Sequence, residues 1–428
     1  MQEYVLSELD TGERLITERV GSVRSVSLGF WIGAGSRDEP DSRAGVTHFI
    51  EHLLFKGTRS YTAQEIAEIF DELGGELNAA TSRETTVVYA RIPDERLETA
   101  LDVMADMVFR PSFEDVDSER EVVLEEIAMV EDTPHDLVHD IAAEAVFGGH
   151  PLGRPVIGRA DVIESVTTRA LAAYHRRAYA APRVVLAAAG NLRHERLVEL
   201  LRERGDGVTG GRRALARRPV RRLPGPGLRF QRKDTEQYHV CLGAPGIDRT
   251  DERRFAASIL DAILGGSASS RLFQEIREKR GMAYSVYSYL SEYSDAGQVG
   301  LYVGTREENL ASCLEIAVAE LLDLAQGNVK TDELARAKEN LKGRLLLSLE
   351  STSTRMTRLG KATVTEVPLL EVDQIVRRLE AVTAGDVADL AAELFAPGRL
   401  SAAGIGPDEA HFRRAVEHVN PSLLSRAA

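Results

Sequence analysis

Residues 164–192 read ESVTTRALAAYHRRAYAAPRVVLAAAGNL, and residues 380–407 read EAVTAGDVADLAAELFAPGRLSAAGIGP. Thr167 and Thr383, Tyr179 and Phe395, Arg183 and Arg399, and Gly190 and Gly406 all stand 216 residues apart. That offset is close to half of the 428-residue chain. A second pair, SLGFWIGAGSRDE from Ser27 and VCLGAPGIDRTDE from Val240, aligns at a slightly different offset, as loop insertions would cause. Self-similarity at half length marks a duplicated unit, and a chain this long exceeds one ordinary hydrophobic core. Two homologous domains of about 200 residues are therefore expected.

The runs YVLSEL, RSVSLGFWIGAG, TTVVYARI and RVVLAAAG read as strands, and TAQEIAEIFDEL and DERLETALDVMADMV carry helical periodicity, so the class is α+β. From about residue 202 to 233 the chain turns rich in Gly, Pro and Arg with little periodicity. The expected division is a first domain over 1–212, a linker over 213–228 and a second domain over 229–428.

With 43% hydrophobic and 28% charged residues, the composition is that of a soluble globular protein. A formal charge of -14 excludes a general nucleic-acid binder, which needs basic residues to replace phosphate counterions. Cys241 and Cys313 lack CxxC spacing, so neither a disulfide framework nor a thiolate zinc site is expected, and a reducing cytoplasm is compatible. The first twenty residues hold five acidic groups and no apolar core of a targeting signal. No apolar run approaches the roughly 18 residues needed to cross a bilayer, so no membrane association is expected.

Chemistry concentrates in HFIEHLLFKGT, residues 48–58. On a helix, His48, Glu51 and His52 share one face, which is metal-ligand spacing with a glutamate beside it. The corresponding second-half segment, LDAILGGSASSRLF, has no histidine, so only the first half keeps the motif and the second is free to shape a substrate cavity. Two histidines hold a metal poorly, and a catalytic zinc needs a third ligand. The helical segment DSEREVVLEEIAMVEDTP, with Asp117 or Ser118 as N-cap, offers several carboxylates. At about 100° per residue, Val122, Val123, Met129 and Val130 fall within roughly 60° of Glu126, and Glu119 lies about 20° from it. A carboxylate inside an apolar stripe is costly unless it meets a cation, which singles out Glu126, with Glu119 as the alternative. Glu121, Glu125 and Glu131 fall on the solvated face.

HFIEHLLFKGT followed after about seventy residues by EREVVLEE resembles the M16 peptidases, an inverted H-x-x-E-H family. WIGAGSRDE, GGELNAATSRE, HPLGRPVIG and SRLFQEIREKRGMAYSVYS are similar to the same family, so the likeness spans most of the chain. The resemblance implies two related halves, each a mostly antiparallel sheet packed with helices. It implies one zinc per chain on His48, His52 and Glu126, Glu51 as general base and Glu119 as a supporting carboxylate. Arg277 and Tyr284 would contact substrate carbonyls and the oxyanion, and Asn78 and Ala79 would bind substrate. Thr47 stands where relatives often have alanine. The implied activity is zinc-dependent endopeptidase on peptides or unfolded segments, in a cytoplasmic homodimer, with a non-catalytic scaffold subunit as the alternative. His135 and His139 lack the intervening glutamate and are expected on a solvated helix face. His150 is expected in a structural loop, and GGSASS lacks a phosphate-loop signature.

Overall fold

The computed structural model describes residues 4–203, 215, 217–221 and 223–425, less the side chains of Pro397, Leu424 and Ser425. Of the expected linker 213–228, residues 213, 214, 216 and 222 lie outside the described residues.

The first half runs β1(Tyr4–Glu8), β2(Arg14–Arg19), β3(Ser25–Ile32), α1(Val46–Leu53), α2(Ala63–Leu73), β4(Glu76–Thr81), β5(Thr86–Pro93), α3(Leu97–Phe109), α4(Val116–Asp132), α5(Pro134–Phe147), α6(Ala160–Ser165), α7(Thr168–Ala178), β6(Val184–Gly190) and α8(His194–Glu203). The second runs β7(Leu228–Arg232), β8(Tyr238–Gly246), α9(Arg254–Leu264), a π-helical segment Phe273–Glu278, β9(Ala283–Glu292), β10(Gly297–Thr305), α10(Leu310–Ala325), α11(Thr331–Ser348), α12(Thr352–Val364), α13(Val372–Ala381), α14(Ala384–Leu394), β11(Ser401–Gly406) and α15(Glu409–Glu417).

The duplication reappears as topology. One sheet has the order β1-β2-β6-β3-β5-β4 and the other β7-β11-β8-β10-β9. Without β1, both place the first, fifth, second, fourth and third strands of their half side by side. Each has one parallel pair, β2 with β6 and β7 with β11, and is otherwise antiparallel. This is the α+β architecture expected from the sequence.

The chain forms two compact units, and they are not simply its two halves. The first holds the described residues of 1–128, 155–218 and 346–371, and the second those of 129–154, 219–345 and 372–428. The linear division at 213–228 therefore omits an exchange of equivalent helices: α5 belongs with the second sheet and α12 with the first.

Packing supplies the reason. On β3 and β6, Leu28, Phe30, Leu186 and Ala188 enter the large core of the first unit, while Trp31, Val185, Ala187 and Ala189 pack with Met356 and Leu359 of α12. Both faces of these strands are covered, so their sequences are apolar runs rather than alternating ones. Gly360 permits the close approach of α12, since a Cβ there would lie 2.0 Å from Nε1 of Trp31. In the second unit, Val138 and Ala142 of α5 likewise pack on Cys241, Tyr302, Ala403 and Ile405. Both cysteines are free and buried. Among the described residues no helix is long and apolar enough to cross a membrane.

The segment WIGAGSRDE links β3 to α1 through buried charge. The Arg37 side chain is fully buried, with Nη1 2.7 Å from Oε1 of Glu84, and Asp38 accepts a 2.8 Å hydrogen bond from Nε of Arg217. Removing one partner of a buried pair leaves the other charge uncompensated. Arg37→Ala is expected to lower the unfolding free energy by about 3 kcal/mol, measured by urea titration; an unchanged midpoint would show that the pair does not hold this loop.

Candidate metal centre

α1 starts at Gly45, whose φ of +99° is in the left-handed region that favours glycine. A Cβ there would lie 2.6 Å from the Ile157 carbonyl oxygen, so the HPLGRPVIG segment packs directly on the turn. Gly45 cannot cap with a side chain, and Glu39 does so from outside the helix. Its carboxylate accepts from Gly45 N at 2.8 Å and Thr47 N at 2.6 Å, placing negative charge at the positive end of the helix dipole. The Thr47 hydroxyl lies 3.1 Å from the Tyr174 hydroxyl. Val46, Phe49, Ile50 and Leu53 are buried, which turns His48, Glu51 and His52 together onto the other face.

α4 supplies the carboxylates, with an orientation that differs from the expected stripe. Its buried positions are Val116, Glu119, Val123 and Ile127, at helical spacing, whereas Val122 and Met129 are 44% and 62% exposed. Glu126 therefore sits on the shoulder of the buried face rather than at its centre. The helix also begins earlier than expected: the Asp115 carbonyl receives the Glu119 amide, so neither Asp117 nor Ser118 is the N-cap. Glu121, Glu125 and Glu131 are exposed.

One ligand atom each from His48, His52 and Glu126 lies within 4.8 Å of the others. Nε2 of His52 is 3.3 Å and Nε2 of His48 3.7 Å from Oε2 of Glu126. Glu119, buried to 4% exposure, receives His52 Nδ1 at 2.9 Å and Lys56 Nζ at 2.7 Å. A carboxylate at Nδ1 favours a proton there, which leaves the Nε2 lone pair directed at Glu126 and the shared space. Burial, helped by the charge of His52, lowers the His48 pKa to about 4, so its imidazole is neutral at pH 7. Two imidazoles and a carboxylate are the donor types of hydrolytic zinc sites. Oε2 of Glu51 is buried without a hydrogen-bond partner among the described residues, an orphaned acceptor beside the ligand set. The residues fit a bound zinc.

Burial is also the main cause raising the Glu51 pKa above the usual carboxylate range, opposed by hydrogen bonding to Thr81 and by the His52 charge. Glu51 thus stands beside the candidate ligand set as a partly desolvated carboxylate. Thr81 and Lys56 are contacts that the sequence analysis missed; both lie within quoted motifs, but nothing in their spacing assigned them partners. Glu119→Gln is expected to weaken zinc binding by about 10–100-fold, measured by competition with a chromogenic chelator; unchanged affinity would remove the positioning role of Glu119.

Asn78 and Ala79 lie on β4, an edge strand that among the described residues pairs only with β5, and the Ala79 amide donates to Oδ1 of Asn78 at 2.8 Å. Arg277 and Tyr284 belong to the second unit, on the π-helical segment and β9. They meet each other: the guanidinium carbon stands 4.4 Å from the centre of the Tyr284 ring, which is 78% exposed. His135 and His139 are not on a simple solvated face. Both are partly buried, and the Tyr287 hydroxyl lies 3.2 Å from Nε2 of His135 and 2.8 Å from Nε2 of His139. The cause is the exchange of α5, which sets this helix on the second sheet. His150 is buried, and its Nδ1 accepts from the Leu152 amide, a structural role.

Comparison with known proteins follows the same lines. Residues 14–160 match the family described as Insulinase (Peptidase family M16), and residues 165–341 match the Peptidase M16 inactive domain. The chain is 43% identical to an uncharacterized zinc protease of Streptomyces coelicolor over 93% of this chain and 88% of that one. It is 40% identical to an uncharacterized zinc protease of Bacillus subtilis, covering 90% of this chain and 94% of the other. The fold is similar to the solved structure of a protease from Helicobacter pylori, with a TM-score of 0.89, 22% identity and coverage of 95% and 100%. It is also similar to a peptidase M16 inactive domain from Pseudomonas fluorescens, with a TM-score of 0.88, 22% identity and coverage of 95% and 98%.

Proposed function

Because the chain belongs to peptidase family M16, we propose that it is a zinc-dependent endopeptidase in which His48, His52 and Glu126 hold one metal ion and Glu51 is the general base. The observation that carries this reading is the convergence of the three ligand atoms within 4.8 Å, beside the partly buried carboxylate of Glu51. When bound, zinc supplies a Lewis acid for the scissile carbonyl and acidifies a water. Glu51 takes a proton from the attacking water as its oxygen bonds to the carbonyl carbon. It then gives that proton to the amine as the C–N bond breaks. Glu119 holds His52 in the tautomer that leaves Nε2 free, and Lys56 holds Glu119.

The open edge of β4 supports an extended substrate. A peptide strand added there would hydrogen-bond through its backbone, with Asn78 and Ala79 on the accepting strand, so flexible segments are cut and ordered ones are not. Arg277 and Tyr284 take the carbonyl and oxyanion roles implied by the family resemblance. Exposed Glu121, Glu125 and Glu131 on α4 favour substrates with Lys or Arg near the scissile bond. The working form is a cytoplasmic homodimer with one active site in each chain. Digestion of a peptide mixture with and without chelator, read by mass spectrometry, tests the activity. Chelator-sensitive cleavage that weakens with salt for basic peptides is expected; no cleavage of any peptide by zinc-loaded protein would overturn the reading.

A further inference from the structure

We infer that the first unit carries a second binding site, distinct from the metal centre, for a small molecule with an oxyanion group on an apolar or aromatic body. The site is a cavity of about 540 Å³, within the size range of small-molecule pockets. Its walls come from three places in the chain: the loop after α1, the loop between α3 and α4, and α7.

Its chemistry is divided between arginine and aromatic groups. Arg59, Arg110 and Arg176 all line it. Arg110 is committed to Asp106. Arg59 and Arg176 are exposed, and among the described residues neither has a carboxylate at ion-pair distance. Guanidinium groups bind phosphate and carboxylate through paired hydrogen bonds, and free ones beside a concave wall are suited to that task. The only carboxylate of the lining is Glu114, which is exposed, so positive charge predominates. Phe109, Phe113 and Tyr179 give the apolar surface.

Two features separate this cavity from an accidental surface hollow. Phe113 has a φ of +58°, a conformation that a bulky non-glycine residue rarely adopts and that concentrates at functional sites. Tyr179, 3% exposed, stacks on His175 with ring centres 4.4 Å apart, and both rings line the cavity. The two loops are also joined to one another, since the Arg59 amide donates to the Arg110 carbonyl at 3.0 Å and the Ser112 amide to the Gly57 carbonyl at 3.0 Å. Arg59 therefore stands on a braced loop and Arg176 on helix α7, so an anion held by both sits on a fixed framework.

Calorimetric titration of the full chain with phenyl phosphate, phenylacetate and benzyl alcohol tests the assignment. The Glu126→Gln variant is titrated in parallel to set aside anion binding at the metal centre. At least one of the two anions is expected to bind with one site per chain in wild type and Glu126→Gln alike, and more tightly than benzyl alcohol. Arg59→Gln/Arg176→Gln is expected to weaken it at least ten-fold, and the single variants carry the same test if the double variant unfolds. Tighter binding of phenyl phosphate assigns a phosphorylated ligand, and tighter binding of phenylacetate a carboxylate. Binding of neither anion, binding lost in Glu126→Gln, or equal affinity in the arginine variants would overturn the proposal.

Discussion

Glu51→Gln is expected to retain zinc at one per chain while kcat falls by about 10²–10⁴-fold. The substitution keeps size and helix propensity but removes the basic lone pairs. Burial raises the Glu51 pKa, which makes its carboxylate a better proton acceptor than an exposed glutamate. Glu51 is not one of the three groups whose ligand atoms converge, so the metal should be held without it. This split distinguishes a base from a ligand. Zinc lost together with activity would place Glu51 in the ligand set, and full activity would exclude it as the base. Peptide turnover and elemental analysis on one preparation give both numbers.

His52→Ala is expected to empty the centre altogether. It removes the Nε2 donor and strands Glu119, which is buried and left with Lys56 as its remaining charged neighbour at 2.7 Å. A metal left with His48 and Glu126 alone lacks the three protein ligands of catalytic zinc sites. Zinc content should fall from one per chain towards zero, and hydrolysis should fall with it. Occupancy near one in this variant would mean that the metal sits elsewhere. Glu125→Gln provides the matched control: Glu125 is exposed on the same helix, so its loss should leave zinc content unchanged.

The site was more legible than the exchange of helices that builds the units. His48, Glu51 and His52 could be placed on one face from spacing alone, because a helix fixes the directions of neighbours three and four apart. Glu126 and Glu119 were also singled out by periodicity, although the buried stripe is centred nearer Val123 and Ile127 than that reading assumed. Exposed Val122 and Met129 misled the angle, since an apolar residue does not report whether it is covered. The repeat beginning at Glu164 and Glu380 predicted two related sheets, and the matching strand orders bear this out. Nothing in the sequence addressed α5 to the second sheet or α12 to the first. Val138 and Ala142 form an apolar face, but an apolar face carries no label for its partner, and the environment of His135 and His139 was misread with it. Glu39 was hidden for a related reason: its capping of α1 depends on a turn from a separate loop, outside the local pattern of the helix.

The most direct test of the central claim is a zinc titration of chelator-stripped protein, with peptide hydrolysis read at each addition. Activity should be absent at the start, rise in proportion to added zinc and level off at one equivalent per chain. Hydrolysis undiminished in protein shown by elemental analysis to contain no divalent metal would contradict it.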